Sequence, residues 1–244
     1  MQIVRSEIFS RYPELLFGMS TKDGGVSPGT LGLNLSYNVG DDPQHVVENR
    51  KRFFSVLGIT EEQVAYTGQQ HTTRIVSVDQ PGFTQQCDAL ITAKPYVYVS
   101  ISIADCTPVM LYDPNRKVVA AVHAGWRGTA GRIVEKTLHQ LQKEFGSDLQ
   151  DVVAFIGPSA GNCCYEVGAE VALQFHPDCR KQKNGGKYLL DVKKANVLQL
   201  LENGVVNSNI ETHVDCSIHN TEYHSHRRDG KASGRMLAVI GITN

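Results

Sequence analysis

The stretch YVYVSISIADCTPVMLYDPNRKVVAAVHAGWRG, residues 96–128, decides the fold. Tyr96 to Ile103 is a run of β-branched and aromatic residues and predicts a strand. Val109 to Tyr112 and Val118 to His123 carry the same signal, and Asp113-Pro114-Asn115 between them has turn chemistry, so the pair predicts an antiparallel hairpin. The first strand runs straight into Ala104-Asp105-Cys106-Thr107-Pro108, placing a carboxylate and a thiol at a strand end, where α/β proteins put their sites. The hairpin ends in His123-Ala124-Gly125-Trp126-Arg127-Gly128, which delivers an imidazole, the chain's only tryptophan and a guanidinium, with glycines that permit close backbone approach. Cys106 and His123 are therefore expected to meet across neighbouring strands.

Working outward, further strands are expected at Thr73 to Val78, Val152 to Ile156 and Met236 to Ile240. Asp42-Pro43 starts a helix whose apolar face, Val46, Val47, Phe53, Phe54 and Leu57, runs until Gly58, and Thr60 with Gln63 forms a second cap. Arg132 to Phe145 and Asp191 to Asn203 predict two more helices, the second terminated by Gly204, and both should lie on a sheet. Helices interleaved with hairpins argue for an α/β fold with mixed sheets rather than a pure βαβ repeat. Lys181 to Lys187 reads as an exposed loop or hairpin tip, and no linker or repeat divides the chain, so residues 1–244 are expected to form one domain.

With 24 basic and 25 acidic side chains, the charge nearly cancels and no basic patch suits a phosphate backbone, so nucleic acid is not an expected partner. No apolar run reaches the length of a membrane span, and Met1 to Arg11 lacks a signal-peptide core; a cytoplasmic protein with no membrane partner is expected. Six cysteines are too few for a disulfide scaffold, and the adjacent Cys163 and Cys164 are poorly placed to bridge each other, so the thiols should be reduced. Cys87 and Cys179 read as small core residues.

Gln69-Gln70-His71 lies in a loop before the strand at Thr73, bringing a third ligand-type side chain to a strand edge. His71, Cys106 and His123 would make a ligand set for catalytic zinc with an open fourth position. Two other readings use the same residues: Cys106 as a nucleophile activated by His123, with Asp105 or a backbone carbonyl orienting the imidazole, or a core thiol beside a satisfied histidine. Ile156 to Gly168 follows a strand and is expected to enter a helix. Ser20 to Ser27 reads as a surface hairpin in which Lys22 alone offers anion binding. Tyr223 to Gly230 gathers His224, His226, Arg227 and Arg228, a basic loop whose arginines suit a phosphate and whose histidines suggest a second, weak metal site.

The motifs together resemble the laccase-domain family, whose members are called multicopper polyphenol oxidase, purine nucleoside phosphorylase or peptidoglycan editing factor. The resemblance rests on Ser20 to Ser27, Leu33-Asn34-Leu35, Val39 to Pro43, Glu48-Asn49-Arg50, Ala104 to Val109, His123 to Gly128, Ile156 to Gly168, Arg227-Arg228-Asp229 and Ser233 to Met236. It departs from the family pattern at Lys22, where arginine is usual; at Gln70, where an apolar residue is; at Thr72, where glycine is; and at His224 and His226, where aromatics are.

The resemblance implies mixed sheets in layers flanked by helices, similar to cysteine hydrolases of the toxin-deamidase type. It implies that His71, Cys106 and His123 hold a metal, usually zinc, with copper as the alternative. The activity it implies is phosphorolysis of adenosine, inosine, guanosine and methylthioadenosine, with adenosine deamination beside it; a purine nucleoside and phosphate are then the partners. Cys106, His123, Asp105 and Arg127 become the catalytic candidates, and Lys22, Asn34, Gln69 and Arg227 the substrate-binding ones. The alternatives are a Cys106–His123 hydrolase acting on an amide such as a peptidoglycan precursor, and a copper polyphenol oxidase. A multicopper centre needs several His-x-His pairs, and nine scattered histidines supply one, at His224 and His226; a single copper site using Met110 as an axial ligand stays open.

Overall fold

The computed structural model describes residues 1–243. Two six-stranded sheets are stacked face to face. The first has the order Ile3–Val4, Leu15–Ser20, Met236–Ile242, Tyr98–Ile103, Val64–Thr67 and Gly82–Thr84; the second has Ile210–Thr212, Val153–Ile156, Thr107–Asp113, Val118–Ala124, Ala89–Thr92 and Ile75–Ser77. Each combines antiparallel and parallel pairs. The expected hairpin is present, antiparallel, with Pro108 opposite His123.

The inner faces bury Val99, Ile101, Met236 and Ile240 of the first sheet against Met110, Tyr112, Val119 and Phe155 of the second. Helix Pro43–Leu57 covers the outside of the first sheet through Phe53, Phe54 and Leu57. Helices Ile133–Phe145 and Val192–Glu202 cover the outside of the second. The layers thus run helix, sheet, sheet, helix, which is why the strands of residues 98–124 read as nearly continuous apolar runs: both their faces are buried.

The caps act as their residue types dictate. Asp42 accepts a hydrogen bond from Gln44 N, Gly58 ends the first helix with φ 74°, and Asp191 accepts from Lys194 N. Ile156 to Gly168 departs from expectation. It leads first into the strand Glu166–Gly168, part of a small three-stranded sheet with Lys187–Leu190 and Arg180–Gln182, and only then into the single turn Ala169–Ala172. The Lys181 to Lys187 tip is that sheet's exposed hairpin.

The chain crosses between the two large sheets repeatedly along one side. Thr67 to Ile75, Thr84 to Ala89 and Ile103 to Thr107 each leave the first sheet and enter the second. His71, Asp88 and Cys106 sit in these three crossovers, so the sheet stacking itself gathers them.

Candidate metal centre and cleft

One donor atom from each of His71, Cys106 and His123 lies within 4.8 Å of the other two. Cys106 Sγ is 3.8 Å from His71 Nε2, and the two imidazole rings meet edge to face with centroids 4.9 Å apart. Tetrahedral zinc with bonds of about 2.0–2.3 Å separates its donors by roughly 3.5 Å, so these three atoms need move little to share an ion. The donor set of two imidazoles and a thiol fits zinc, and it is equally acceptable to copper.

What fixes this geometry is Asp88, a residue the sequence did not single out. Its carboxylate is fully buried and accepts hydrogen bonds from the backbone of Gln70 (3.2 Å), His71 (2.9 Å) and Thr72 (2.7 Å), and from the Thr72 hydroxyl (2.8 Å). It also meets His123 Nδ1 at 2.8 Å, which leaves Nε2 as the ring nitrogen available to the cluster. The three backbone bonds hold His71 at φ 58°, a left-handed conformation that costs a non-glycine residue about 1 kcal/mol. Thr72, at the position where the family pattern has glycine, thereby adds a bond to Asp88. Burial opposes ionisation of Asp88, but the bonds from His123 and Thr72 outweigh it and bring its pKa down to about 2.

Electrostatically, Cys106 and His123 support each other. Burial disfavours the Cys106 thiolate, yet the two imidazoles prevail and lower the pKa to about 6. The thiolate and Asp88 in turn draw the buried His123 toward its protonated form. A metal entering the cluster displaces that proton. Asp88–His123–Cys106 also has the arrangement of a nucleophile, a base and the carboxylate that orients the base; Asp88 holds the place for which Asp105 was the candidate.

The cluster opens into a cleft of about 670 Å³. Arg127, Arg227, Gln69 and Asp105 line it together with Phe83, Trp126, Tyr165, His226 and Arg235. The Arg127 guanidinium lies 4.3 Å over the Trp126 ring and that of Arg227 4.9 Å over Tyr165. Gln69 is pinned to the strand Tyr98–Ile103, accepting from Ser102 N at 2.7 Å and donating to Ser102 O at 2.8 Å. Asp105, at φ 84°, accepts from Ser217 Oγ (2.7 Å) and Arg227 N (2.6 Å), so its carboxylate ties the arginine-bearing turn to the cluster.

Lys22 and Asn34 do not line the cleft. Asn34 is fully buried and bonded to Ser36, Asp41 and Arg235. His224 and His226 point apart: His224 is fully buried with neither ring nitrogen bonded, whereas His226 is exposed at the cleft, so they form no joint metal site. Met110 is buried in the core between the sheets.

Gly125 packs directly against the cluster. A Cβ built there would lie 2.9 Å from Cys106 Sγ and 3.1 Å from His71 Cδ2, although φ −67° suits any residue. Gly125→Ala is expected to push both candidate ligands apart at a cost of about 1–3 kcal/mol, weakening metal binding about 5- to 150-fold. Elemental analysis beside far-UV circular dichroism checks this: metal below one per chain with an unchanged spectrum.

Residues 16–243 match the family model described as multi-copper polyphenol oxidoreductase laccase. The chain belongs to this family. Within the laccase family it is 39% identical to a purine nucleoside phosphorylase of Deinococcus radiodurans over 91% of this chain and 87% of that protein. It is 36% identical to one of Bacteroides thetaiotaomicron over 97% of this chain and 94% of that one. The crystal structure of the family member YlmD from Geobacillus stearothermophilus superposes with a TM-score of 0.94 at 33% identity, covering 100% of this chain and 97% of that one. Among the described residues, no helix is long and apolar enough to cross a membrane.

Proposed function

We propose that this laccase-family chain is a zinc-dependent purine nucleoside phosphorylase acting on adenosine, inosine, guanosine and methylthioadenosine, with adenosine deamination at the same centre. The observation that carries the metal-dependent reading is the third donor: His71 is held beside Cys106 in a left-handed conformation by three backbone bonds to Asp88, an arrangement that a two-residue thiol–imidazole pair does not need. The relatives named purine nucleoside phosphorylase supply the reaction class.

In phosphorolysis a phosphate oxygen forms a bond to the sugar's anomeric carbon while the bond to the purine nitrogen breaks, and the departing base keeps the electron pair and takes up a proton. A zinc ion held by His71, Cys106 and His123 supplies Lewis acidity in the cleft. Arg127 and Arg227 bind the phosphate, their planes held by Trp126 and Tyr165. Phe83, 65% exposed on the cleft wall, offers the purine a ring to stack on. Asp105 and Gln69 act as positioning residues, since their polar atoms are engaged within the protein.

Arg227→Ala is expected to raise the KM for phosphate about tenfold, the loss of one charge-assisted contact, with a smaller effect on the KM for nucleoside. Arg227→Lys should recover only part of this, because lysine lacks the planar fork. Initial rates at varied phosphate check it. The reading as a whole is tested by following free base from the four nucleosides with and without phosphate. Release that requires phosphate and yields sugar 1-phosphate is the expected result; release indifferent to phosphate refutes it.

The Asp88–His123–Cys106 line favours one second reading, a cysteine hydrolase acting on an amide such as a peptidoglycan precursor. It predicts activity that survives a chelator and is lost on alkylation.

A further inference from the structure

A second cluster of thiols lies outside this centre. The sulfurs of Cys163, Cys164 and Cys216 are all within 4.8 Å of one another, and those of Cys163 and Cys164 are 3.4 Å apart. Cys163 and Cys164 sit in the loop before the strand Glu166–Gly168, and Cys216 beyond the strand Ile210–Thr212, beside the bridge that pairs it with Ser159. None of the three lines the cleft.

The cluster is built into the backbone around Cys216. Gly161 N–H donates to Cys216 Sγ at 3.2 Å, and the backbone N–H groups of Ile218 and His219 also turn toward it. Lys193, a buried lysine, donates to the carbonyls of His213 and Asp215 at 2.8 Å each and so holds the segment that leads into Cys216. On the solvent side Cys163 is exposed, which leaves a way in for an ion.

We propose that Cys163, Cys164 and Cys216 form a second metal site, specific for a soft, thiophilic cation of the copper(I) type. Three sulfurs converge there, and among the described residues no histidine, aspartate or glutamate joins them as a fourth ligand. Thiolates hold zinc and copper(I) alike, but structural zinc is almost always held by four protein ligands, whereas copper(I) accepts three sulfurs. Binding releases thiol protons to solvent and transfers no electron. The site is coupled to the cleft through its neighbours: Ser217 next to Cys216 donates to Asp105, and Tyr165 next to Cys164 supports Arg227.

The test uses the Cys106→Ala chain, in which the first centre is broken, titrated anaerobically with copper(I) against a chromophoric copper(I) chelator. One copper(I) per chain is expected, with X-ray absorption showing three sulfur ligands. Adding Cys163→Ser or Cys216→Ser should weaken binding at least a hundredfold while circular dichroism stays unchanged. Absence of copper(I) binding, equal binding with either serine present, or a preference for zinc over copper(I) would each overturn the proposal. Phosphate-dependent base release by the wild-type chain is measured separately, so that failure of the proposed function and failure of the thiol site are told apart.

Discussion

Cys106→Ala is expected to abolish phosphate-dependent base release, by about 10³-fold or more, and to reduce bound metal at the His71–Cys106–His123 centre to background. Loss of an outer partner of a metal ligand typically costs about 10–100-fold, and here a proposed ligand itself is removed. Cys106 is also the group whose charge holds His123 toward protonation. The thiol borders the cleft and is only partly buried, so global stability should change by no more than about 1 kcal/mol. Turnover, elemental analysis and a urea denaturation curve on the same preparation check all three statements. Full activity in the variant would remove Cys106 from the mechanism altogether.

Asp88→Asn has the second largest expected effect, and it acts through other residues. The carboxylate's two oxygens accept from Gln70, His71, Thr72 and His123, whereas an amide has one acceptor oxygen and presents an NH₂ to the remaining donors. The left-handed turn at His71 and the ring orientation of His123 both lose support. Metal affinity should fall about 10–100-fold, and stability by about 3 kcal/mol, from charge-assisted bonds lost in a buried place. The sign of the pH dependence follows from the lowered pKa. A carboxylate taken from its ordinary value of 3.8 down to about 2 contributes stability that is complete above about pH 4 and disappears as pH falls through about 2. Wild type and variant should therefore differ most at neutral pH and converge in acid. A competition titration for metal and urea curves at several pH values measure this, and an unchanged metal affinity would reduce Asp88 to a purely structural role.

The parts of the fold visible in the sequence were those set by local chemistry. The hairpin of residues 107–124 announces itself through Asp113-Pro114-Asn115, and the first helix through Asp42 and Gly58. The strand Ala89–Thr92 does not, because three apolar residues and a threonine, all buried, carry no period that separates strand from helix. Asp88 stands at its mouth, and its partners arrive from two other segments, so nothing nearby in sequence marks it. His71, Cys106 and His123 were legible as residue types at strand ends, but that three crossovers between stacked sheets collect them is a property of the topology. His224 and His226, two positions apart, turn to opposite sides of the chain. The convergence of Cys216 on Cys163 and Cys164 likewise depends on tertiary contact.

The most direct test is the initial rate of phosphate-dependent hypoxanthine release from inosine across samples with graded zinc occupancy, prepared by chelation and titrated back. The expected rate is proportional to zinc at the His71–Cys106–His123 centre, saturates at one ion per chain and is absent from the stripped protein. A rate that survives complete removal of metal would contradict it and make the Asp88–His123–Cys106 line the catalytic unit instead.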